Sequence, residues 1–248
     1  MKIILSPAKK MICDTDSLPC ESTPSLIEKS EKVLDYLKSL SYAELKSLWK
    51  CNDSIAKQNF DRLASSNLYK NLTPAILAYD GVAFKYMAPS VFTNSEFSYV
   101  QSHLRILSAV YGAARPMDGI IPYRLEMQAK AKVDNFENLY DFWSEDIYKR
   151  VIDESRMVIN LASKEYSQCV EKYLCNKDRY ITVTFCEQVN GKLVTKGTYA
   201  KMARGETVRF MAENNIEDPR DIKKFNRLGY FFREDISTEN EYIFERKR

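Results

Sequence analysis

Fixed charge is concentrated in residues 104–127. The segment contains an apolar run that predicts a buried strand over 106–111, and most of its charged residues follow that run. Its charged members are Arg105, Arg115, Asp118, Arg124 and Glu126. Arginine presents a planar fork of donors that matches the oxygens of a phosphate or a carboxylate. A strand followed by a proline-rich, charged turn is a common way for a rigid scaffold to present polar chemistry. The segment therefore predicts an anion site.

Two further polar segments follow predicted strands. Lys9 and Lys10 come after the apolar run 2–5, and the strand 157–161 leads into a second polar turn. Ligands commonly bind where the strands of α/β sheets end, so the two lysines predict either an anion site or a solvated loop. The candidates in the second turn are Asn160, Ser163 and Glu165, which supply an amide, a hydroxyl and a carboxylate.

A basic helix is predicted over 199–211. At about 100° per residue, Lys201, Arg204 and Arg209 fall within one half of its circumference. These cations are either solvated or line a cleft, with Gly205 allowing a close approach of another segment.

Two functions remain open from these residues. If the cations converge, they form a cleft that tracks the phosphates of a nucleic acid. Alternatively, they clamp a nucleotide or another phosphorylated small molecule. In that case Glu165, Ser163, Asn160 and Glu126 are the candidates for a general base or a nucleophile. The carboxylates can equally be structural partners that orient the arginines.

Composition restricts the class of protein. The 248 residues carry a net charge of +3, from 37 basic and 34 acidic side chains, which is too balanced to imply a polyanionic partner without local clustering. No signal segment and no apolar run of about 20 residues is present, so we expect a cytoplasmic protein with no membrane partner. Six cysteines without a Cys-x-x-Cys pair and a single histidine, His103, predict reduced structural thiols, no metal site and no cofactor.

The N-terminal part predicts three helices. The first covers 24–39 after Thr23-Pro24, the second starts at the capping box Ser41–Glu44, and Asn52 can cap a third. The last two outline a helix-hairpin-helix carrying Lys46, Lys50 and Lys57. Its turn lacks the glycine usual in DNA-binding hairpins, so the residues alone favour an ordinary helical pair.

The remaining pattern predicts one mixed α/β domain over 1–248, with the helices of 24–70 as a subdomain. Residues 82–87 predict a short helix or a turn. Further helices are predicted over 94–103 and 139–152, and further strands over 74–79, 229–232 and 242–244. The segments 180–186 and 192–198 alternate in strand fashion around Asn190-Gly191, a strong hairpin signal.

Several motifs, in the same order and at similar spacing, resemble the YaaA peroxide-stress protein family. They are Ser6-Pro7-Ala8-Lys9, HLRILSAVYGAARPMD (103–118), PYRLEM (122–127), NLASKEY (160–166), AKMARGETVRF (200–210) and Gly229-Tyr230-Phe231-Phe232. The match covers essentially the whole chain. One departure is Ala109, where the family more often has glycine.

The resemblance implies a cytoplasmic protein and several expectations for its fold and function. These are a family-specific mixed sheet flanked by helices, a helix-hairpin-helix at 41–66, and double-stranded DNA bound in a basic cleft by a protein that we expect to be a monomer. It also implies that the protein limits iron-dependent oxidative damage under peroxide stress. The expected anion- and DNA-binding residues are Lys9, Lys10, Arg105, Arg115, Arg124, Lys201, Arg204 and Arg209. An enzyme acting on a phosphorylated small molecule in the same cleft is the alternative.

Overall fold

A mixed sheet forms the centre of the protein. The computed structural model describes residues 1–247. The strands are β1 (Lys2–Leu5), β2 (Thr73–Pro74), β3 (Leu104–Ser108), β4 (Gly112–Ala114), β5 (Gly119–Ile120), β6 (Met157–Leu161), β7 (Arg179–Val189), β8 (Lys192–Val194), β9 (Tyr230–Phe232) and β10 (Glu241–Arg246). The main sheet has the order β4-β3-β1-β6-β7-β10-β9, with β8 also paired to β7, while β2 and β5 pair separately.

Strands β3, β1, β6, β7 and β10 run parallel to one another, and β4, β8 and β9 are antiparallel additions. The chain thus places β3 on one side of β1 and β6 on the other. In doubly wound sheets this reversal of strand order opens a crevice beyond the carboxyl ends of the two strands, and ligands bind there. The topology therefore points to the ends of β1 and β6.

Helices flank the sheet, so the predicted mixed α/β class is confirmed. They are α1 (Ile27–Ser39), α2 (Tyr42–Trp49), α3 (Asp53–Ala64), α4 (Ala75–Ala78), α5 (Val82–Met87), α6 (Asn94–His103), α7 (Leu139–Trp143), α8 (Asp146–Val151), α9 (Lys164–Glu171) and α10 (Gly197–Glu213). The capping box of Ser41 and Glu44 starts α2, and the Asn52 side chain caps α3. Both caps were read correctly because a cap is a local interaction.

Five predicted elements are wrong in type or length. The strand over 192–198 ends at Val194, and α10 already begins at Gly197. Within the strand predicted over 74–79, residues 75–78 form the helix α4, because a short apolar run fits a buried helix as well as a strand. The strand over 106–111 ends at Ser108, whose hydroxyl accepts the backbone N–H groups of two following residues and closes a turn. The helix over 139–152 is split at Ser144, where φ is 48°. Helix α1 begins at Ile27 instead of residue 24.

Helices α5 and α10 approach each other closely through a glycine. A Cβ atom on Gly205 would lie 1.8 Å from the carbonyl oxygen of Ala83. The absence of a side chain at this position therefore lets the two backbones touch. This contact holds the basic helix α10 against the segment that follows α4.

Within residues 1–247, no helix combines the length and the apolarity that a membrane crossing requires.

Candidate functional site

A cavity of about 340 Å³ lies at the carboxyl ends of β1 and β6. Ser6 and Ser163, which follow these strands, line it together. The backbone N–H of Ser163 donates to Ser6 Oγ at 2.8 Å, and the two hydroxyl oxygens lie 3.1 Å apart. The cavity thus occupies the crevice at which the strand order reverses, where ligands bind in doubly wound sheets.

Five of the eight cations singled out in the sequence line this cavity. They are Lys9, Lys10, Arg124, Lys201 and Arg204. They come from three separate parts of the chain: the segment after β1, the turn before α7, and helix α10. The fold therefore brings distant cations to one place.

The other three predicted cations lie outside the cavity lining. Arg105 stands near the start of β3 and donates to the carbonyl oxygens of Leu104 and Gln101 at 2.7 and 3.2 Å. Arg115 pairs with Asp118 at 3.2 Å, and Arg209 pairs with Glu213 at 2.7 Å. Each of these guanidinium groups is therefore engaged in local structure.

Two carboxylates hold three of the lining cations in place. Glu126 accepts from Lys9 at 2.8 Å and lies 3.5 Å from the Arg124 guanidinium. Asp80 pairs with Lys10 at 2.5 Å. Glu126 thus has the geometry of an orienting partner, one of the two roles that the sequence left open for the carboxylates.

Lys201 and Arg204 differ from the other cations, because neither has an acidic partner among residues 1–247. In the described part of the chain, the buried Nε atom of Arg204 has no hydrogen-bond partner, and neither has Nε of Arg124. Burial lowers the pKa of the Arg204 guanidinium. A buried donor without an acceptor costs about 1–3 kcal/mol, more when it is charged. This cost is relieved if an anion enters the cavity.

Glu165 also lines the cavity, at the second position of α9. Its carboxylate accepts from the backbone N–H of Gln128 at 3.3 Å. Burial, with a further contribution from the nearby charge of Glu126, raises the pKa of Glu165 above its usual value of 4.5. A carboxyl group with a raised pKa in a ligand-sized cavity is a candidate general acid or base.

The other polar residues of this turn have different surroundings. Ser163 lines the cavity, whereas Asn160 is 4% exposed and is not part of the lining. The Asn160 Oδ1 atom accepts from the backbone N–H of Ala162 at 2.9 Å, and Nδ2 donates to Thr182 at 3.4 Å. The structure therefore places Asn160 in the support of the turn.

Sequence reasoning missed part of the lining. Asp80 and Gly81 bring α5 to the cavity, and a Cβ atom on Gly81 would lie 2.5 Å from that of Ala8. In the sequence, Asp80 and Gly81 directly follow the apolar run 74–79. This is the same pattern that identifies the segments after β1 and β6. Tyr123 was missed as a site residue although it stands in the PYRLEM motif.

The lysines of the α2–α3 hairpin do not line the cavity. Lys46 pairs with Asp53, and Lys50 ends α2 with a left-handed backbone, φ 45°. Lys50 and Lys57 are exposed. The Asn52 side chain accepts from the backbone N–H of Ile55 at 2.9 Å, which occupies one of the donors that a phosphate would need. A helix-hairpin-helix that binds DNA thus stays a prediction.

No group of three or more histidine, cysteine, aspartate or glutamate side chains able to hold a metal ion occurs within the described part of the chain.

The raised pKa of Glu165 predicts how stability depends on pH. Its contribution is present below the unfolded pKa, near 4.5, and is lost as the pH rises through the folded pKa. We therefore expect Glu165→Gln to gain stability relative to the wild type as the pH rises from 4.5 to neutrality, measured by urea unfolding.

Glu171, on the same helix, is a control of opposite sign. Burial raises its pKa, but hydrogen bonds from Lys164 and Ser167 outweigh burial, so that the pKa is lowered overall. The Glu171→Gln variant should lose stability relative to the wild type over the acidic range in which Glu171 ionises. Parallel pH profiles for the wild type and Glu165→Gln would contradict the assignment.

Comparison with known proteins places this chain in a family. Residues 1–236 match the family model described as "Peroxide stress protein YaaA". The chain belongs to this family. The resemblance read from the sequence motifs is thereby confirmed, and with it the assignment to a peroxide-stress family.

Relatives of the same length support the assignment. A UPF0246 protein of Agathobacter rectalis is 66% identical over 247 residues, covering 100% of this chain and 99% of the relative. UPF0246 proteins of Lachnoclostridium phytofermentans and Pediococcus pentosaceus are 48% and 47% identical, covering 98% of this chain and 96% and 97% of the relatives.

Proposed function

We propose that this member of the YaaA family binds a small phosphorylated molecule, such as a nucleotide or a sugar phosphate, in the cavity at the ends of β1 and β6. The observation that carries the proposal is a pair of cations at a topological switch point, Lys201 and Arg204, that have no acidic partner among residues 1–247. Arginine and lysine together are suited to a phosphate, the first by its planar fork and the second as a point charge.

The charge of the cavity supports a phosphate monoester. Five cations line it against the three carboxylates of Asp80, Glu126 and Glu165, which leaves two excess positive charges when all three are ionised. A phosphate monoester carries between −1.5 and −2 charges near neutral pH, about the same magnitude. The ligand would therefore neutralise the cavity.

The size of the cavity supports a small ligand. Its volume of about 340 Å³ falls at the lower end of the range of about 300–1,000 Å³ for small-molecule sites. Val82, Phe84 and Leu125 add apolar surface beside the cations. A base or a sugar can lie against this surface while the phosphate meets Lys201 and Arg204.

The same cavity supports an enzymatic role for the site. Glu165 supplies a carboxyl group with a raised pKa, and Ser163 supplies a hydroxyl beside it. General acid–base catalysis needs a proton donor or acceptor within reach of the bound ligand. On this proposal Glu165 transfers the proton, and Glu126 positions Lys9 and Arg124.

Calorimetric titration at low ionic strength tests the proposal. We expect adenosine 5′-monophosphate to bind with one molecule per chain. Adenosine is the matched control, since it keeps the base and sugar but lacks the phosphate, and it should bind at least about tenfold more weakly. Equal affinities for the two compounds, or heat that never saturates, would count against the phosphate site.

Double-stranded DNA is a second candidate ligand, favoured by exposed cations at the rim of the cavity and on the α2–α3 hairpin. Lys9 and Lys10 are largely exposed at its rim, with side-chain exposures of 63% and 73%. Lys50 and Lys57 are exposed on the α2–α3 hairpin. We propose that such a complex would rest on contacts from these exposed lysines to DNA phosphates.

The DNA proposal predicts a steep dependence on salt. Affinity for a duplex should fall linearly on a logarithmic scale with salt concentration, with a slope of about −0.9 for each phosphate contacted. Replacing both Lys50 and Lys57 by alanine should make this slope shallower by about two. An affinity that barely changes between low and physiological salt would exclude this mode of binding.

We further propose that the protein limits iron-dependent oxidative damage indirectly, through its phosphorylated ligand, as a cytoplasmic member of the family. An excess of cations around the cavity supports this, because it repels a free iron cation.

A further inference from the structure

Three hydroxyl groups form a connected cluster between β3 and the cavity. Ser108 Oγ lies 2.8 Å from the hydroxyl of Tyr123, and the hydroxyls of Tyr123 and Tyr79 lie 3.0 Å apart. Ser108 is 0% exposed and Tyr79 is 2% exposed. Tyr123 is the member of the cluster that lines the cavity.

The direction of these hydrogen bonds follows from counting donors. Ser108 Oγ accepts from the backbone N–H groups of Val110 at 3.2 Å and Tyr111 at 3.0 Å. A hydroxyl oxygen has two lone pairs and one proton. Both lone pairs of Ser108 are therefore occupied, so its proton is donated to Tyr123.

The buried position of Tyr79 fixes the second bond. Its hydroxyl hydrogen-bonds to Tyr123 and also lies near the Ser108 hydroxyl, whose two lone pairs are already occupied and cannot accept from Tyr79. If Tyr123 donated to Tyr79, the Tyr79 proton would be buried without an acceptor, which is unfavourable because the donor would lose the hydrogen bond that it makes with water in the unfolded chain. Tyr79 therefore donates to Tyr123. The Tyr123 oxygen then accepts two hydrogen bonds, and its own proton has no acceptor in the cluster.

We propose that Tyr123 is a ligand-binding residue whose hydroxyl, oriented by Ser108 and Tyr79, donates a hydrogen bond to a phosphoryl oxygen of the molecule bound in the cavity. This inference rests on the proposed function for the identity of the ligand. The orientation of the hydroxyl follows from the free protein alone.

The surroundings keep the Tyr123 proton available. Burial raises the pKa of Tyr123 to about 12, so the phenol is neutral near neutral pH. Hydrogen bonds accepted from Ser108 and Tyr79 polarise its O–H bond and favour donation. Tyr123 thus adds a fixed neutral donor to the charged donors of Arg124 and Arg204, with which it lines the cavity.

Hydroxyl exchange in the wild-type protein tests the orientation without any ligand. In an equal mixture of H₂O and D₂O, the ¹³Cζ signal of a tyrosine splits when its hydroxyl exchanges slowly. We expect a split signal for Tyr79, whose hydroxyl is buried, and a single averaged signal for Tyr123, whose proton on this proposal is open to the cavity. The Tyr79→Phe variant assigns the signals. A split Tyr123 signal would overturn the inference.

Titration with inorganic phosphate tests the contact with the ligand. Tyr123→Phe should weaken phosphate binding about tenfold or more, since a hydrogen bond to a charged group is lost. Tyr69→Phe, the control, should leave phosphate binding unchanged, because Tyr69 is exposed and its hydroxyl donates to Glu31 outside the cavity. Unchanged affinity in a folded Tyr123→Phe variant overturns the inference. If the wild type does not bind phosphate, both the proposed ligand and the proposed contact with Tyr123 are wrong. If the wild type and Tyr123→Phe bind phosphate with the same affinity, the proposed ligand stands and only the contact with Tyr123 is wrong.

Discussion

The Gly205→Ala variant should lose about 3 kcal/mol or more of its free energy of unfolding, the largest effect that we expect from any single methyl group in this protein. A Cβ atom at this position would lie 1.8 Å from the Ala83 carbonyl oxygen. That oxygen belongs to the backbone, so helices α5 and α10 must move apart for the methyl group to fit. Overpacking of a tight contact typically costs about 1–3 kcal/mol, and more when backbone must shift.

Gly197 provides a matched control on the same helix. A Cβ atom there has no heavy atom within 4 Å. Since alanine is the better helix former, Gly197→Ala should leave stability unchanged or raise it by up to about 1 kcal/mol. Urea unfolding of both variants measures the contrast. A Gly205→Ala variant within about 0.5 kcal/mol of the wild type would contradict the close contact of the two helices.

The second large effect concerns Arg204, for which stability and binding should change in opposite directions. Its guanidinium is largely buried, has no acidic partner within residues 1–247, and has an unpaired Nε donor. Replacing such a cation by an apolar side chain of similar length removes a desolvation cost. We therefore expect Arg204→Met to raise the free energy of unfolding by about 1 kcal/mol.

The same substitution removes charge-assisted hydrogen bonds to the ligand. These are worth about 1.5–3 kcal/mol each, so the affinity for adenosine 5′-monophosphate should fall by about tenfold to a hundredfold. Arg209→Met is the control, because Arg209 pairs with Glu213 outside the cavity. It should leave binding unchanged and lower stability by at most about 1 kcal/mol. Loss of stability in Arg204→Met would contradict the view that this cation is held at a cost for its function.

The segments that follow β1 and β6 could be predicted as site residues from the sequence. Each is a short apolar run that ends in polar residues, and the carboxyl ends of neighbouring parallel strands meet at one edge. The structure brings Lys9 and Ser163 to one cavity for this reason. What the sequence lacked was the strand order, which depends on pairings between residues far apart in the chain.

Helical periodicity predicted only in part which cations of α10 line the cavity. Lys201, Arg204 and Arg209 lie within one half of the helix circumference. The cavity contacts a narrower sector of the helix, which holds Lys201 and Arg204 but not Arg209. Arg209 lies about 140° around the helix from Arg204 at about 100° per residue. It therefore reaches Glu213 on the helix surface and not the cavity.

Arg105 and the segment around Asp80 could not be placed from local patterns. Arg105 follows the amino end of β3, so it lies at the opposite end of the strand from the cavity. Asp80 and Gly81 enter the cavity because α5 packs against α10, a tertiary contact made by Gly205 and Ala83. In the sequence, the sign of such a contact is a glycine, the residue that is small enough to allow it.

The most direct test of the central claim is the ¹H–¹⁵N signal of the Arg204 Nε–H group during a phosphate titration. This donor is buried and has no hydrogen-bond partner among residues 1–247. If the cavity is a phosphate site, the signal should shift saturably at the concentration at which calorimetry detects binding, and the shift should be absent for the Nε–H group of Arg209. An Arg204 signal that stays in place, or that follows ionic strength in step with Arg209, would contradict the account.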